Sequence, residues 1–209
     1  MSAETVHQID EDFRAALKKG SVLPDGWKSD SGAIAVRPDE KDRPCLTVTQ
    51  KGGRQLVTLP PVTLAGSFFV EAEAQLIVGR PFSANVLSQM VVHLQGRNGA
   101  APVFVCVDIN GISISGSLPP EEIRITNKKT GPGYESLRMI SRFRIVVHEK
   151  TLQVFVNDTL AAASTLEKIG EYDMVRIGLT PPTNYLPRFY SVKVGNLAAT
   201  QKQPIGVAK

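Results

Sequence analysis

Between Phe143 and Leu197, apolar and polar side chains alternate in short runs, and turn residues separate one run from the next. Such alternation is typical of strands with one buried face. Glu149 and Lys150 are placed to form a two-residue turn, which sets Val147 opposite Leu152 and pairs the preceding apolar residues in the same way. A slip of one residue would turn this apolar set to solvent, so the pattern specifies its own register.

Two more dipeptides predict tight hairpins. Asn157-Asp158 tolerates positive φ at both positions, and Asn110-Gly111 is the strongest short hairpin signal of all. The pairs that these turns predict are Val154 with Ala161, Leu152 with Ala163, Ile109 with Ile112, Val107 with Ile114, Asp108 with Ser113, and Cys106 with Ser115.

Short apolar runs between turns continue along the chain, and no helical period follows residue 20. This organisation predicts an all-β fold, a two-sheet antiparallel jelly-roll sandwich. The run at 86–96 is apolar on both faces and is therefore expected to be a central strand. The other expected strands are 33–36, 45–50, 55–59, 68–78, a hairpin over 103–117, a short strand near 123–125, and 189–197.

A helix is predicted over residues 4–19, because apolar residues recur there at helical spacing and Gly20 supplies a stop. We therefore expect an N-terminal helical segment over 1–20, a sandwich over 21–198, and a flexible tail over 199–209. The only tryptophan, Trp27, is expected to anchor the core because of the area that it buries.

Composition and charge argue against some classes of function. The net charge of +4 is modest and no basic run interleaves with aromatics, which argues against nucleic-acid binding. No signal peptide or membrane span is visible, so the chain as written is expected in the cytoplasm.

The three histidines lie far apart, and we expect no metal and no cofactor. Whether Cys45 and Cys106 form a disulfide stays open, although a buried free thiol is the simpler interpretation of Cys106.

Several segments together resemble the concanavalin A-like lectin/glucanase superfamily, in particular its 3-keto-disaccharide hydrolase and laminin G-like jelly rolls. The resemblance covers roughly residues 22–197, and in its hairpin Asp158 stands where members often carry glycine. It implies a jelly-roll fold shared by sugar-binding modules, glycosidases and assembly domains. The segments that carry it are DGW at 25–27, FVEAEAQL at 69–76, VFVNDT at 154–159, IGL at 177–179 and FYSVKVGNL at 189–197.

Glu71 and Glu73 are candidate catalytic carboxylates, because alternate positions place both on one strand face. Paired carboxylates are what glycoside hydrolysis needs. In glucanases of the resembled superfamily, such a strand supplies the nucleophile and the acid, followed by a third carboxylate. Here Gln75 continues the face instead, and a solvated strand face is the commoner setting for exposed glutamates.

A second set of polar residues suits a ligand without catalysis. His93 shares a strand face with Gln89 and Gln95, and Asp108 lies on the next strand. If these strands neighbour the strand of the two glutamates, one concave surface would present amides, carboxylates and a guanidinium to sugar hydroxyls. The candidate ligand-binding residues are therefore Glu71, Glu73, His93, Gln95, Asp108 and Arg144.

The sequence predicts a non-catalytic binding or assembly module, with a carbohydrate as the expected ligand. A glycoside hydrolase using Glu71 and Glu73 is one alternative. The other is a structural or protein-interaction domain that forms a homo-oligomer through the N-terminal helix. A basic stretch over 124–144 would suit an acidic partner, although basic loops are also ordinary surface composition.

Overall fold

The computed structural model describes residues 6–49, 53–76, 89–98, 100–108, 111–116, 121–124, 137–166, 168–180 and 187–197. Within these ranges, two antiparallel sheets pack face to face and enclose one apolar core. The predicted all-β two-sheet sandwich is thereby confirmed. An α-helix, α1, runs over Arg14–Lys19.

One sheet has eight strands, and its hydrogen-bonded order is β13-β12-β11-β6-β15-β4-β3, with β1 also paired to β15. The first residues of β15 pair with β4 and its second half pairs with β1. The strands are β1 (Val6–Glu11), β3 (Ile34–Pro38), β4 (Pro44–Val48), β6 (Phe68–Gln75), β11 (Ser141–His148), β12 (Thr151–Val156), β13 (Thr159–Thr165) and β15 (Arg188–Asn196).

The other sheet has seven strands in the order β10-β9-β8-β7-β14-β5-β2. Its strand β7 lies between β8 and β14, which confirms the expectation of a central strand. The strands are β2 (Lys28–Ser29), β5 (Gln55–Thr58), β7 (Gln89–Gly96), β8 (Val103–Val107), β9 (Gly111–Ser115), β10 (Glu121–Arg124) and β14 (Tyr172–Thr180).

The hairpin of β11 and β12 has the predicted register throughout. Val147 pairs with Leu152 and Phe143 with Val156, and these four side chains are buried in the core. Glu149 takes the left-handed conformation at the turn, with φ of 52°. Here local alternation and tertiary burial favour the same pairing.

The next hairpin departs from its predicted register by one residue. Asn157 and Asp158 do form the turn, with φ of 49° and 66°, but a bulge shifts the pairing so that Val154 lies opposite Ala162 instead of Ala161. The extra residue rotates the rest of β13, and Leu166 enters the core with 1% of its surface exposed. Without the bulge, the polar Thr165 would have taken that side of the sheet.

The predicted Asn110-Gly111 turn is also wrong by one position. Asp108 and Gly111 flank the connection and exchange backbone hydrogen bonds of 2.9 and 3.3 Å, so Val107 pairs with Ile112. The Gly111 amide also donates to the Asp108 carboxylate at 3.1 Å, which stabilises this earlier turn. Residues 109 and 110 themselves lie outside the described residues. Because the pairing moves by two residues, the described side chains of the hairpin keep their predicted faces.

The helix predicted over 4–19 is wrong in its first half, since residues 6–11 form strand β1 on the edge of β15. The side chain of Gln8 hydrogen-bonds the backbone oxygen and nitrogen of Thr63, at 2.6 and 2.7 Å. Phe13 then turns the chain with φ of 63° and packs edge-on against Trp27, so both rings are buried. Tertiary pairing thus overrides a helical spacing of apolar residues.

The sequence shows no membrane span and leaves open a disulfide between Cys45 and Cys106. Across the described ranges, no helix combines the length and the apolar character that a membrane crossing needs. Cys45 is buried and Cys106 is partly buried, and both thiols are free.

Candidate functional site

The six candidate residues lie on the two opposite outer faces of the sandwich. The residues of β6 that alternate with the core residues Val70 and Ala72 are Glu71 and Glu73, so these two glutamates share an outer face as predicted. His93 projects from the other sheet, because its neighbours Val92 and Leu94 are the ones in the core. The set divides into Glu71, Glu73 and Arg144 on the eight-stranded sheet, and His93, Gln95 and Asp108 on the seven-stranded sheet.

The prediction of one surface lined by all six residues is therefore wrong. It assumed that β6 and β7, which follow each other along the chain, are neighbours in one sheet. The chain instead crosses from one sheet to the other between them. The core thus separates the glutamates from the histidine.

On the outer face of the eight-stranded sheet, opposite charges meet across neighbouring strands. Arg144 and Lys193 flank Glu71 in register, and the Arg144 Nε lies 3.7 Å from the Glu71 Oε2. Ser191 donates a hydrogen bond of 3.3 Å to Glu73, and Lys193 also lies 3.3 Å from Asp10. Through these contacts between neighbouring strands, the positive and negative side chains of this face balance one another.

A buried polar network closes one end of the same sheet. Asp39, whose side chain is fully inaccessible, accepts hydrogen bonds from the backbone amides of Lys41 and Arg43 at 2.8 and 2.9 Å. The Arg43 Nε and the Tyr190 hydroxyl add bonds of 2.8 and 3.1 Å. Burial alone would raise the pKa of Asp39, but these hydrogen bonds outweigh it and hold the pKa well below its usual range.

The same network includes the pair of Arg188 and Glu40. The Arg188 guanidinium, with 10% of the side chain exposed, reaches both carboxylate oxygens of Glu40. The hydrogen bonds from Arg188 lower the pKa of Glu40 to about 2. Donors on β15 are paired with acceptors on the turn between β3 and β4, so the network stabilises the packing of this turn against β15. The sequence alone suggested no role for this charged turn, residues 37–44, which lies between the expected strands 33–36 and 45–50.

The outer face of the seven-stranded sheet is organised in rows that run across the strands. The first row is polar apart from Phe104, the second is apolar apart from Ser113, and the third is polar again. In the order β5, β14, β7, β8, β9, the first row is Thr58, Arg176, His93, Phe104 and Ser115, the second is Leu56, Gly178, Val91, Cys106 and Ser113, and the third includes Thr180, Gln89 and Asp108.

His93 is the centre of the first row. Its ring stacks on Phe104 with centroids 3.9 Å apart and planes 7° from parallel, and 9% of the residue is exposed. Burial lowers the pKa of His93, and the charges of Arg176 and Arg54 lower it further. The imidazole is therefore neutral at pH 7 and keeps one donor and one acceptor nitrogen.

The apolar row lies between the two polar ones. Leu56 leans across Gly178, where an added Cβ would come within 2.4 Å of the Leu56 Cδ2, so this position has no room for a side chain. Val91 is 1% exposed. Burial raises the pKa of the Cys106 thiol to about 11, which keeps it protonated.

Asp108 and Gln95 lie on either side of this centre. Asp108 accepts hydrogen bonds of 3.1 Å from the side chain of Gln89 and from the Gly111 amide, so its carboxylate is engaged at the hairpin turn. Gln95 is exposed and lies opposite Met174. Of the residues predicted on this sheet, His93 therefore has the most enclosed position.

Two arginines that sequence reasoning did not single out complete the face. The Nε of Arg176 is buried, and no described residue accepts its hydrogen bond. Within the described ranges, neither Arg176 nor Arg54 has a carboxylate at salt-bridge distance. The Arg144 Nε on the opposite sheet also makes no hydrogen bond there, but Glu71 matches its charge and its guanidinium lies over the Phe69 ring.

Among the described residues, no three His, Cys, Asp or Glu side chains gather into a group that could hold a metal ion.

Comparison with solved structures identifies the fold. The chain is 11% identical to the endo-β-1,3-glucanase from Pyrococcus furiosus, with a TM-score of 0.60 over 94% of this chain and 96% of that one. It is 8% identical to a Bacillus subtilis protein of unknown function with a galectin-like fold, with a TM-score of 0.58 over 94% and 99%. It is 14% identical to the carbohydrate recognition domain of Emp47p, with a TM-score of 0.52 over 83% and 90%.

These similarities show that the chain has the concanavalin A-like lectin/glucanase fold, which confirms the fold that the sequence resemblance implied. No protein-family model matches the sequence, and no curated protein does either. At such identities the shared feature is the fold alone.

Proposed function

We propose that this protein is a carbohydrate-binding module whose ligand lies on the outer face of the seven-stranded sheet. The fold supports a carbohydrate, because similar structures include a carbohydrate recognition domain and a glucanase. We choose this face because the Arg176 Nε is buried there without an acceptor among the described residues. It lies beside His93, a residue that is 9% exposed. Buried donors without partners are rare in proteins and indicate a missing acceptor.

The chemistry of the three rows suits a sugar ring. A guanidinium has five donors in a fixed fork, and a neutral imidazole supplies one donor and one acceptor, so Arg176 and His93 can both bond ring hydroxyls. In the apolar row, the partly exposed Leu56 offers a surface to the C–H face of the ring. The third polar row, with Gln89 and Asp108, lies four residues from the first along each strand, or about 13 Å.

The outer face of the eight-stranded sheet suits this role less. Its charges already meet partners, as in Arg144 with Glu71 and Arg142 with Asp158. A ligand there would have to displace those contacts and compensate for them.

The test is binding of the full chain to a glycan array, followed by affinity measurement on the best ligand. We expect Arg176→Gln to weaken binding at least about tenfold, which corresponds to about 1.4 kcal/mol. The matched control is Arg142→Gln, which removes the same group from the opposite face and should bind as wild type does. An array without a ligand, or equal loss in both variants, would refute the proposal.

A further inference from the structure

Strand β14 carries a second buried polar atom without a hydrogen-bond partner among the described residues. It is the Thr180 Oγ1, four residues after Arg176 on the same strand. Both side chains point outward, because the residues that alternate with them, Ile177 and Leu179, lie in the core. Buried side-chain polar atoms normally have a partner, so two unpartnered atoms on one strand face indicate that a ligand contacts both.

The surface between these two residues is apolar. Gly178 lies midway, and its position has no room for a side chain because Leu56 leans over it from β5. Leu56 is partly exposed, so an apolar contact surface separates the two polar positions. Along β14 the order is therefore polar, apolar and polar.

The Thr180 position includes a second polar side chain. Thr180 lies opposite Gln89 of β7 in the strand register, and the Gln89 amide donates a hydrogen bond of 3.1 Å to Asp108. A side-chain amide has two donor hydrogens and an acceptor oxygen, so this single bond leaves Gln89 able to bind a hydroxyl beside Thr180. The first position is matched in the same way, because Arg176 lies opposite His93.

We propose that the ligand is an unbranched glycan that lies along β14, with one sugar at Arg176 and His93 and another at Thr180 and Gln89. Four residues of a strand span about 13 Å, and about three sugar rings joined end to end are needed to cover that distance. The middle sugar would then contact Leu56 through its C–H face. This inference rests on the proposed function and adds the length and the direction of the ligand.

The length of the glycan is tested with ladders of defined oligosaccharides. The full chain is titrated calorimetrically with β-1,4-linked gluco-, xylo- and manno-oligosaccharides, from the monosaccharide to the hexasaccharide. In at least one ladder, we expect the affinity to rise at least about tenfold between the disaccharide and the tetrasaccharide. It should then stay level to the hexasaccharide, because longer chains extend beyond the two polar positions.

The variant Thr180→Val tests the far position. It removes a hydroxyl that has no partner among the described residues and keeps the shape of the side chain, so it should be at least as stable as wild type in denaturant unfolding. It should nevertheless lose most of the gain in affinity with length and bind the disaccharide as wild type does. Gln89→Leu, on the neighbouring strand, is a second variant with the same expected loss.

The direction of the glycan is tested by a variant at a similar distance across the sheet. Ser115 is exposed and lies in the same row as Arg176, three strands away, which is about 14 Å. Ser115→Ala should keep the gain in affinity with length. Thr151→Val makes the same substitution as Thr180→Val on the opposite outer face and should also keep it. Arg176→Gln should weaken binding at every length.

Three outcomes would overturn the inference. The first is equal affinity for short and long members of every ladder that binds, which leaves the proposed function standing if Arg176→Gln still weakens binding. The second is a gain with length that Ser115→Ala removes and Thr180→Val keeps, because the glycan would then cross the strands. The third is a failure of all ladders to bind while the glycan array yields another ligand. If the array also shows no ligand, the proposed function fails together with the inference.

Discussion

The two outer faces of this sandwich carry similar side chains but differ in how those side chains are partnered. On the eight-stranded sheet, Glu71 meets Arg144 and the buried Asp39 accepts four hydrogen bonds. On the seven-stranded sheet, Arg176 has a buried donor and no acceptor among the described residues. The number of charges on a strand face therefore says little about function, whereas the balance of donors and acceptors distinguishes a structural face from a candidate binding face.

The largest effect is expected where the eight-stranded sheet is most tightly bonded. Asp39→Ala should lower the free energy of unfolding by about 3 kcal/mol, because it leaves the Arg43 and Tyr190 donors without their buried acceptor. Denaturant unfolding measures this loss. Glycan binding by the folded fraction should not change, since the network lies on the opposite sheet. Asp25→Ala, which removes only an exposed pair with Lys19, should cost far less, because solvent screens such a pair. A similar small loss for Asp39→Ala would contradict the structural role of this network.

A smaller effect should appear in acid. The pKa of Glu40 is about 2 in the folded protein against an ordinary value of 4.5, so the folded state favours the ionised form. Its stabilising contribution is present above pH 4.5 and is lost as the pH falls towards 2. Because 69% of the Glu40 side chain is exposed, solvent screening limits the contribution to about 1 kcal/mol.

Unfolding free energies of wild type and Glu40→Gln, measured across this pH range, check the sign. Wild type should be the more stable protein near neutral pH, and the two curves should converge in acid. Curves that stay parallel would mean that Arg188 does not stabilise the ionised carboxylate.

The smallest effect is expected from the two glutamates that most resemble catalytic residues. The double variant Glu71→Gln with Glu73→Gln should change stability by only about 0.5 kcal/mol, because partly exposed ion pairs contribute little. It should also bind glycan as wild type does. If this variant instead lost ligand binding, or lost a hydrolytic activity that wild type shows on oligosaccharides, the functional face would be that of the eight-stranded sheet.

Local pattern was sufficient for much of the fold. The hairpin of β11 and β12 could be predicted residue by residue, because its turn and its burial require the same register. The bulge in β13 could not, since it depends on Leu166 entering a core that other strands build. Likewise, nothing local shows that residues 6–11 pair with β15 rather than continue into a helix.

The candidate site was predicted in part. Alternation gave the outward direction of Glu71, Glu73 and His93, and all three do project away from the core. It could not show which sheet each strand joins, and this determines which side chains meet. Arg176 alternates with the core residues Val175 and Ile177, so its outward direction was readable from the sequence. That its Nε has no acceptor among the described residues becomes visible only in three dimensions.

Strand β1 has a consequence for the synthesis of this protein. Val6 of β1 pairs with Asn196 of β15. The backbone groups of β1 therefore cannot form these hydrogen bonds until β15 has been synthesised. At roughly 5–20 residues per second, a ribosome needs about 10–40 s to deliver that partner. During this interval, residues 6–11 leave the ribosome as an unpaired edge with Ile9 exposed, open to chaperones or to strands of neighbouring nascent chains. The eight-stranded sheet can therefore be completed only after β15 has been synthesised.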